Sequence, residues 1–246
     1  MTPGADVRST VQRILDLGGF RPAFQPIVGL LDARIVGVEA LMRFEPTPYE
    51  PPDVWFGRAH DCGLGVALEA AAVARVLRIL RLLPPAVYVS INATPAFAGS
   101  PEFSALLGQG AAPLGRLVLE LSELGRVEDY PHLVGALSPL RESGLRVAVD
   151  NAGPAFAASS HIAHLRPDMI KIDGAVVTGL DGDDARSAVV SAMVRLGGEL
   201  SAVVTAEGVE TPGELAALTR LGVQAAQGFH LARPTASPAV WRAWGR

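Results

Sequence analysis

The chain has 246 residues, 49% of them hydrophobic and 19% charged, with a formal net charge of −4. That content of apolar side chains excludes a disordered polypeptide, and the acidic balance argues against a general binder of polymeric nucleic acid. The one cysteine, Cys62, excludes an internal disulfide framework and a Cys-rich zinc centre.

Residues 1–19 read as a helical lead-in to one barrel domain spanning 20–246. The lead-in has no apolar core of a secretory signal, so a cytoplasmic protein is expected. Runs rich in Val, Ile and Leu predict strands at 23–30, 34–41, 86–91, 116–121, 146–149, 169–172, 202–205 and 222–226. Helical patterns fall at 52–61, 65–83, 95–107, 130–143, 183–199 and 212–220. Within 65–83, Glu69, Arg75, Arg78 and Arg81 interrupt the apolar stretch. Arginines three apart mark a wet helix face, so this is an amphipathic helix and no membrane span is expected.

Strand and helix in alternation imply a parallel sheet covered by helices. The first two strands are separated by too few residues for a crossover, so they should be antiparallel. Eight strands in this length fit an α/β fold, a modified (β/α)8 barrel of the TIM type with an antiparallel first strand. The alternative, an open doubly wound sheet, lacks a Gly-rich phosphate fingerprint after its first strand.

The polar residues near the strand ends carry the chemistry. Strand 2 holds Glu39, strand 3 Asn92, strand 4 Glu120, strand 5 Asp150 and then Asn151, strand 6 Lys171, strand 7 Glu207 and strand 8 Gln227. Singly, each reads as a solvated loop carboxylate, a turn residue or a satisfied amide. Seven in a row at equivalent positions do not, because the carboxyl ends of parallel barrel strands converge on one face. Four gathered carboxylates repel one another unless cations intervene. The donors are hard oxygens plus one ammonium, a set that suits Mg²⁺, Mn²⁺ or Ca²⁺. Lys171 is also the only lysine in a chain with 20 arginines. A lysine is a compact charge with an adjustable pKa, whereas an arginine keeps its proton.

The motifs that carry these residues resemble the EAL domain family. Glu39-Ala40-Leu41 stands within Gly37–Phe44, preceded by Gln25-Pro26-Ile27-Val28. Ser90-Ile91-Asn92, Leu119–Glu123, Ile170–Asp173, Ala206–Thr211 and Gln227-Gly228-Phe229 follow in the family's order. The resemblance implies a (β/α)8-like barrel that hydrolyses the bacterial messenger cyclic di-GMP to linear pGpG with two divalent ions, Mg²⁺ or Mn²⁺. Ca²⁺ is expected to support binding and to inhibit. It implies Glu39, Asn92, Glu120 and Asp150 as ligands of a first metal. Asp150, Glu207 and the position of Asn151 would serve a second. Lys171 would orient or polarise the attacking water, its own pKa lowered by the metals. Arg43 would contact a substrate phosphate, and Gln25 and Gln227 would line the substrate or water site. Glu123 would anchor the loop after strand 5, and Glu210 would support the site from behind the ligands. The family has two consecutive aspartates where this chain has Asp150-Asn151, and a different loop where it has Ala152-Gly153-Pro154. The resemblance also leaves room for a homodimer, since that loop helps build the family's dimer interface. Phe24 stands where a tyrosine is common. The alternatives to a phosphodiesterase are a cyclic di-GMP receptor with weak or no hydrolysis and a scaffold acting through protein contacts.

Overall fold

The computed structural model describes residues 3–45, 49–108, 113–121, 127, 129–150 and 162–244. Eight strands close into a barrel in sequence order: β1 (Phe20–Gly29), β2 (Ile35–Phe44), β3 (Tyr88–Ala93), β4 (Leu117–Leu121), β5 (Arg146–Val149), β6 (Met169–Ile172), β7 (Val203–Ala206) and β8 (Ala225–Ala226). β1 is antiparallel to β2 and to β8, and the pairs from β2 to β8 are parallel. The barrel, its covering helices and the antiparallel first strand are as the sequence predicts.

β1 begins three residues earlier and β2 ends three residues later than expected, and β3 is shifted by two; three further differences have a local reason. The helix expected at 95–107 is two, Pro95–Ala98 and Pro101–Gly108. Pro101 has no N–H to continue the first helix, and Ser100 caps the second by accepting from the Phe103 N–H. The helix expected at 65–83 is α-helical over Gly65–Ile79 and tightens to a 3₁₀ turn over Leu80–Leu82, just before Pro84. β8 begins three residues later than expected because Gly222 adopts φ +83° to end the preceding helix, Pro212–Arg220.

The lead-in is the helix Pro3–Leu17, and its Val11 and Ile14 are buried in the main core between barrel and helices. At the other end, Thr235 pairs with Phe24 of β1, and Trp241 stacks edge-on against the Phe24 ring at 4.9 Å. Among the described residues no helix is long and apolar enough to cross a membrane.

The barrel interior follows from the two-residue period of strands. Ile27, Tyr88, Val118, Ala148, Met169 and Ala225 form a separate apolar cluster, a plug inside the barrel. Two residues along each strand the same face carries Gln25, Ser90, Glu120, Asp150, Lys171 and Gln227. Gly37 belongs to the plug level, opposite Tyr88 in register, and Glu39 stands two residues on, opposite Ser90. The apolar plug thus forms the floor, and the polar layer lies directly above it.

Gly37 is obligatory for that floor. A Cβ there would lie 2.2 Å from the Tyr88 ring. Gly37→Ala is expected to cost about 1–3 kcal/mol through overpacking, read as a lower urea midpoint at unchanged m-value. An unchanged midpoint would show that Tyr88 can swing aside.

Candidate active site

Lys171 sits at the centre of the polar layer and is 2% exposed. Its Nζ is 2.5 Å from Glu207, 2.8 Å from Glu120, 3.4 Å from Glu39 and 4.0 Å from Asp150. The four carboxylates come from the ends of β7, β4, β2 and β5, so the fold gathers groups separated by up to 168 residues of sequence. Neighbouring polar groups fix their directions. Ser90 Oγ donates to Glu120, Asn92 Nδ2 to Glu39 at 2.9 Å, and Gln227 Nε2 to both Glu39 at 2.5 Å and Glu207 at 3.0 Å.

The electrostatics are unbalanced. Burial opposes the charge on Lys171, but Glu120, Glu207, Glu39 and Asp150 outweigh it and hold the ammonium well above its ordinary pKa. Burial pushes Glu120 well above the carboxylate range; Lys171 pulls it down, and the charges of Glu39, Asp150 and Glu207 push it up again. Burial likewise lifts Glu207 to about 7, with Asp150 and Glu39 adding to the effect against Lys171. Glu39 is the exception: burial raises it, but Lys171 and the bonds from Gln227 and Asn92 leave it below its ordinary value. One ammonium therefore cannot balance four carboxylates in a place shielded from water, and the layer lacks positive charge.

That deficit, in an all-oxygen donor set, fits divalent cations. The residues that would hold them are Glu39, Asn92, Glu120, Asp150 and Glu207. Gln227 Oε1 is a buried acceptor without a partner among the described residues. Among the described residues no three His, Cys, Asp or Glu side chains are placed to hold a metal ion together; Glu120 and Glu207 are paired with Lys171.

A cavity of about 600 Å³ opens beside this layer, from Arg43, Asn92 and Asp150 to Phe56, His60 and Val73. Arg43 faces it from β2, with Nη1 bonded to the Met42 carbonyl. Gln25 is buried beside Glu39 in register and donates to the Ala232 carbonyl at 3.1 Å. Asn151 and Glu123 lie outside the described residues. Glu210 has an exposed side chain, and its backbone N–H donates to Glu214.

Glu214 takes the supporting place expected of Glu210. Its carboxylate accepts from the N–H groups of Gly179, Glu210 and Thr211, tying down the loop after Glu207. Thr211 and Glu214 form a capping box on the helix Pro212–Arg220. The Thr-x-x-Glu spacing at 211–214 is the signal that could have marked it. Ser90, also missed, could have been found by stepping back two residues from Asn92 along the strand.

The EAL domain profile matches residues 8–234. The chain belongs to the EAL domain family. An uncharacterized protein of Mycobacterium tuberculosis is 36% identical over 92% of this EAL domain chain and 78% of its own length. The phosphodiesterase PaMucR, solved in complex with c-di-GMP, superposes with a TM-score of 0.84 at 25% identity, over 96% of this chain and 99% of that one. BlrP1 of Klebsiella pneumoniae, solved in a manganese and cyclic di-GMP complex, superposes with a TM-score of 0.77 at 25% identity, over 88% of this chain and 56% of that one.

The raised carboxylates give a pH dependence with a definite sign. Glu207 binds its proton more tightly folded than unfolded, so its contribution to stability is present at low pH and is lost as pH rises through about 7. In EDTA the melting temperature should therefore fall between pH 4.5 and pH 7. Mn²⁺ should abolish the fall and raise the melting temperature by several degrees, since saturation at about 100 times Kd adds about 2.7 kcal/mol. Scanning calorimetry at the two pH values checks this; a melting temperature indifferent to Mn²⁺ would count against a cation site.

Proposed function

We propose that this EAL domain hydrolyses cyclic di-GMP to linear pGpG. The observation that carries the reading is the buried Lys171 ammonium among Glu39, Glu120, Asp150 and Glu207, beside a cavity that Arg43 faces. The c-di-GMP complex of PaMucR and the manganese complex of BlrP1 support it. Glu39, Asn92, Glu120 and Asp150 would hold one ion, and Asp150, Glu207 and the residue at position 151 would hold a second. Bound divalent ions, Mg²⁺ or Mn²⁺, supply relief of phosphodiester charge and a more acidic water. Arg43 binds a phosphate of the ligand, its guanidinium matched to phosphate oxygens. Lys171 orients the attacking water and adds a fixed positive charge facing the phosphorus, where negative charge grows as one P–O ester bond breaks. Gln25 and Gln227 line the pocket. With both Nε2 bonds of Gln227 committed to Glu39 and Glu207, its Oε1 is the atom left to accept from water or ligand. The reading extends to a cytoplasmic protein and to a homodimer joined through the loop after β5.

Asn151 favours a second reading, a receptor that binds cyclic di-GMP and cleaves it slowly. An amide oxygen can ligate but brings no charge, and a unit charge at about 4 Å is worth up to about 4 kcal/mol at an effective dielectric near 20. Turnover should then need high metal concentration and favour Mn²⁺. Initial rates against metal concentration for the parent and Asn151→Asp separate the readings. The substitution should lower the metal requirement and raise turnover by about tenfold or more, leaving ligand affinity in Ca²⁺ little changed. A parent already fast at low Mg²⁺ would remove the receptor reading.

Lys171→Arg is expected to lose turnover by roughly two or more orders of magnitude, the range for acid–base or positioning groups. The retained charge should let the fold survive, which the melting temperature checks. Full turnover in this variant would show that the lysine has no chemical part.

A further inference from the structure

β3 is held unevenly where it delivers Asn92. On its β4 side the pairing continues through Asn92↔Glu120 and Ala93↔Leu121. On its β2 side the pairing stops at Ala40↔Ile91, so the last two residues of β3 have no ladder there. Asn92 is thus at the edge of the sheet's control, on the strand whose tip must stay still.

A side chain from another element holds this side. Glu69, on the helix Gly65–Ile79, is 5% exposed. Its Oε1 accepts from the Thr94 N–H at 2.7 Å and its Oε2 from the Thr94 hydroxyl at 2.8 Å. Thr94 Oγ1 in turn accepts from the Phe97 N–H at 3.2 Å, capping the helix that follows. The hydroxyl therefore both donates and accepts, which fixes its rotamer. His60 Nε2 lies 3.4 Å from Glu69 Oε2, so the carboxylate is held from the cavity side as well. A buried acidic side chain on an amphipathic helix would otherwise face water or a basic partner. Here it is spent on a backbone N–H two residues beyond Asn92.

We propose that Glu69 and Thr94 are positioning residues for the cation site: the two-point grip of Glu69 on the Thr94 backbone N–H and hydroxyl replaces the missing β2 ladder and fixes Asn92, whose Nδ2 is bonded to Glu39. The proposal rests on the metal-assisted reading above. Neither residue touches the ion or the substrate; both act through the β3 backbone. Partners that orient a ligand in this way are commonly worth ten- to a hundred-fold in metal affinity.

The test measures Mn²⁺ binding by electron paramagnetic resonance on the full chain, without substrate, for the parent, Thr94→Val, Thr94→Ser and Glu69→Gln. Thr94→Val loses both hydroxyl bonds, and Glu69→Gln leaves one acceptor oxygen where two are used. Each should weaken Mn²⁺ binding by about ten- to a hundred-fold. Thr94→Ser keeps the donor and the cap and should stay within about threefold of the parent. Leu137→Ala, a core truncation in the helix Tyr130–Glu142, serves as a control that lowers the melting temperature while leaving the Glu69–Thr94 bonds in place. It should leave Mn²⁺ affinity unchanged. Parent-like Mn²⁺ affinity in both Thr94→Val and Glu69→Gln overturns the positioning role while sparing the metal-assisted reading. A loss in Leu137→Ala equal to that in Thr94→Val assigns the effect to general destabilisation and also overturns it. A parent that takes up no Mn²⁺ overturns the metal-assisted reading, and this proposal with it.

Discussion

The ammonium of Lys171 inside a closed barrel is the interaction on which the rest of the structure depends. Without it, Glu39, Glu120, Asp150 and Glu207 would face one another across a space that water barely enters. Buried carboxylates without a counter-charge are strongly destabilising, so the lysine is what lets the carboxylates share one layer. Its shape matters as much as its charge. A guanidinium forks in a plane and favours one carboxylate bidentately, whereas a compact ammonium can be approached from several directions by several acids. That geometry gives a physical reason for one lysine in a chain with 20 arginines.

The floor beneath the lysine makes the charges matter. Ile27, Tyr88, Val118, Ala148, Met169 and Ala225 keep the lower barrel apolar, so the polar layer is screened from one side by protein. Low local polarity strengthens every charge interaction above it. The same burial lifts Glu207 to about 7 and pushes Glu120 well above the carboxylate range. A site that is costly for four acids and one lysine alone becomes favourable when divalent charge is added.

Much of this was legible from the sequence because barrel strands have a two-residue period. Apolar runs ending in Asn92, Glu120, Asp150, Lys171 and Glu207 mark both the strand ends and the face on which the side chains meet. The antiparallel β1 followed from a connection too short to cross over. What was not legible acts through the backbone or across the fold. Glu69 reads as one more polar residue on an amphipathic helix, and only the tertiary structure shows that it grips Thr94. Glu210 looks like a neighbour of Glu207 in sequence, yet the chain turns its side chain outward and gives the loop to Glu214. The split of the helix expected at 95–107 was visible in Ser100-Pro101 but was outweighed by the apolar pattern around it.

The distribution of support around the rim bears on the Asp150-Asn151 pair. Glu39 and Glu120 are paired on both sides in register, and Lys171 is paired to Thr205 of β7, so their backbones are fixed by ladders. Glu207 stands just past β7, and its loop is tied by Glu214. Asn92 has a ladder on one side and the Glu69 grip on the other. Asp150 follows β5, whose ladder to β6 is two pairs long and ends at Val149↔Ile170. On the proposed reading, the ligands of the first ion would be held by sheet, helix and hydrogen bond together, whereas the second ion would draw on Asp150, Glu207 and a residue that carries no charge. An amide at that place would weaken the less supported half of the site and leave the better supported half intact. Binding of the ligand and its turnover would then separate.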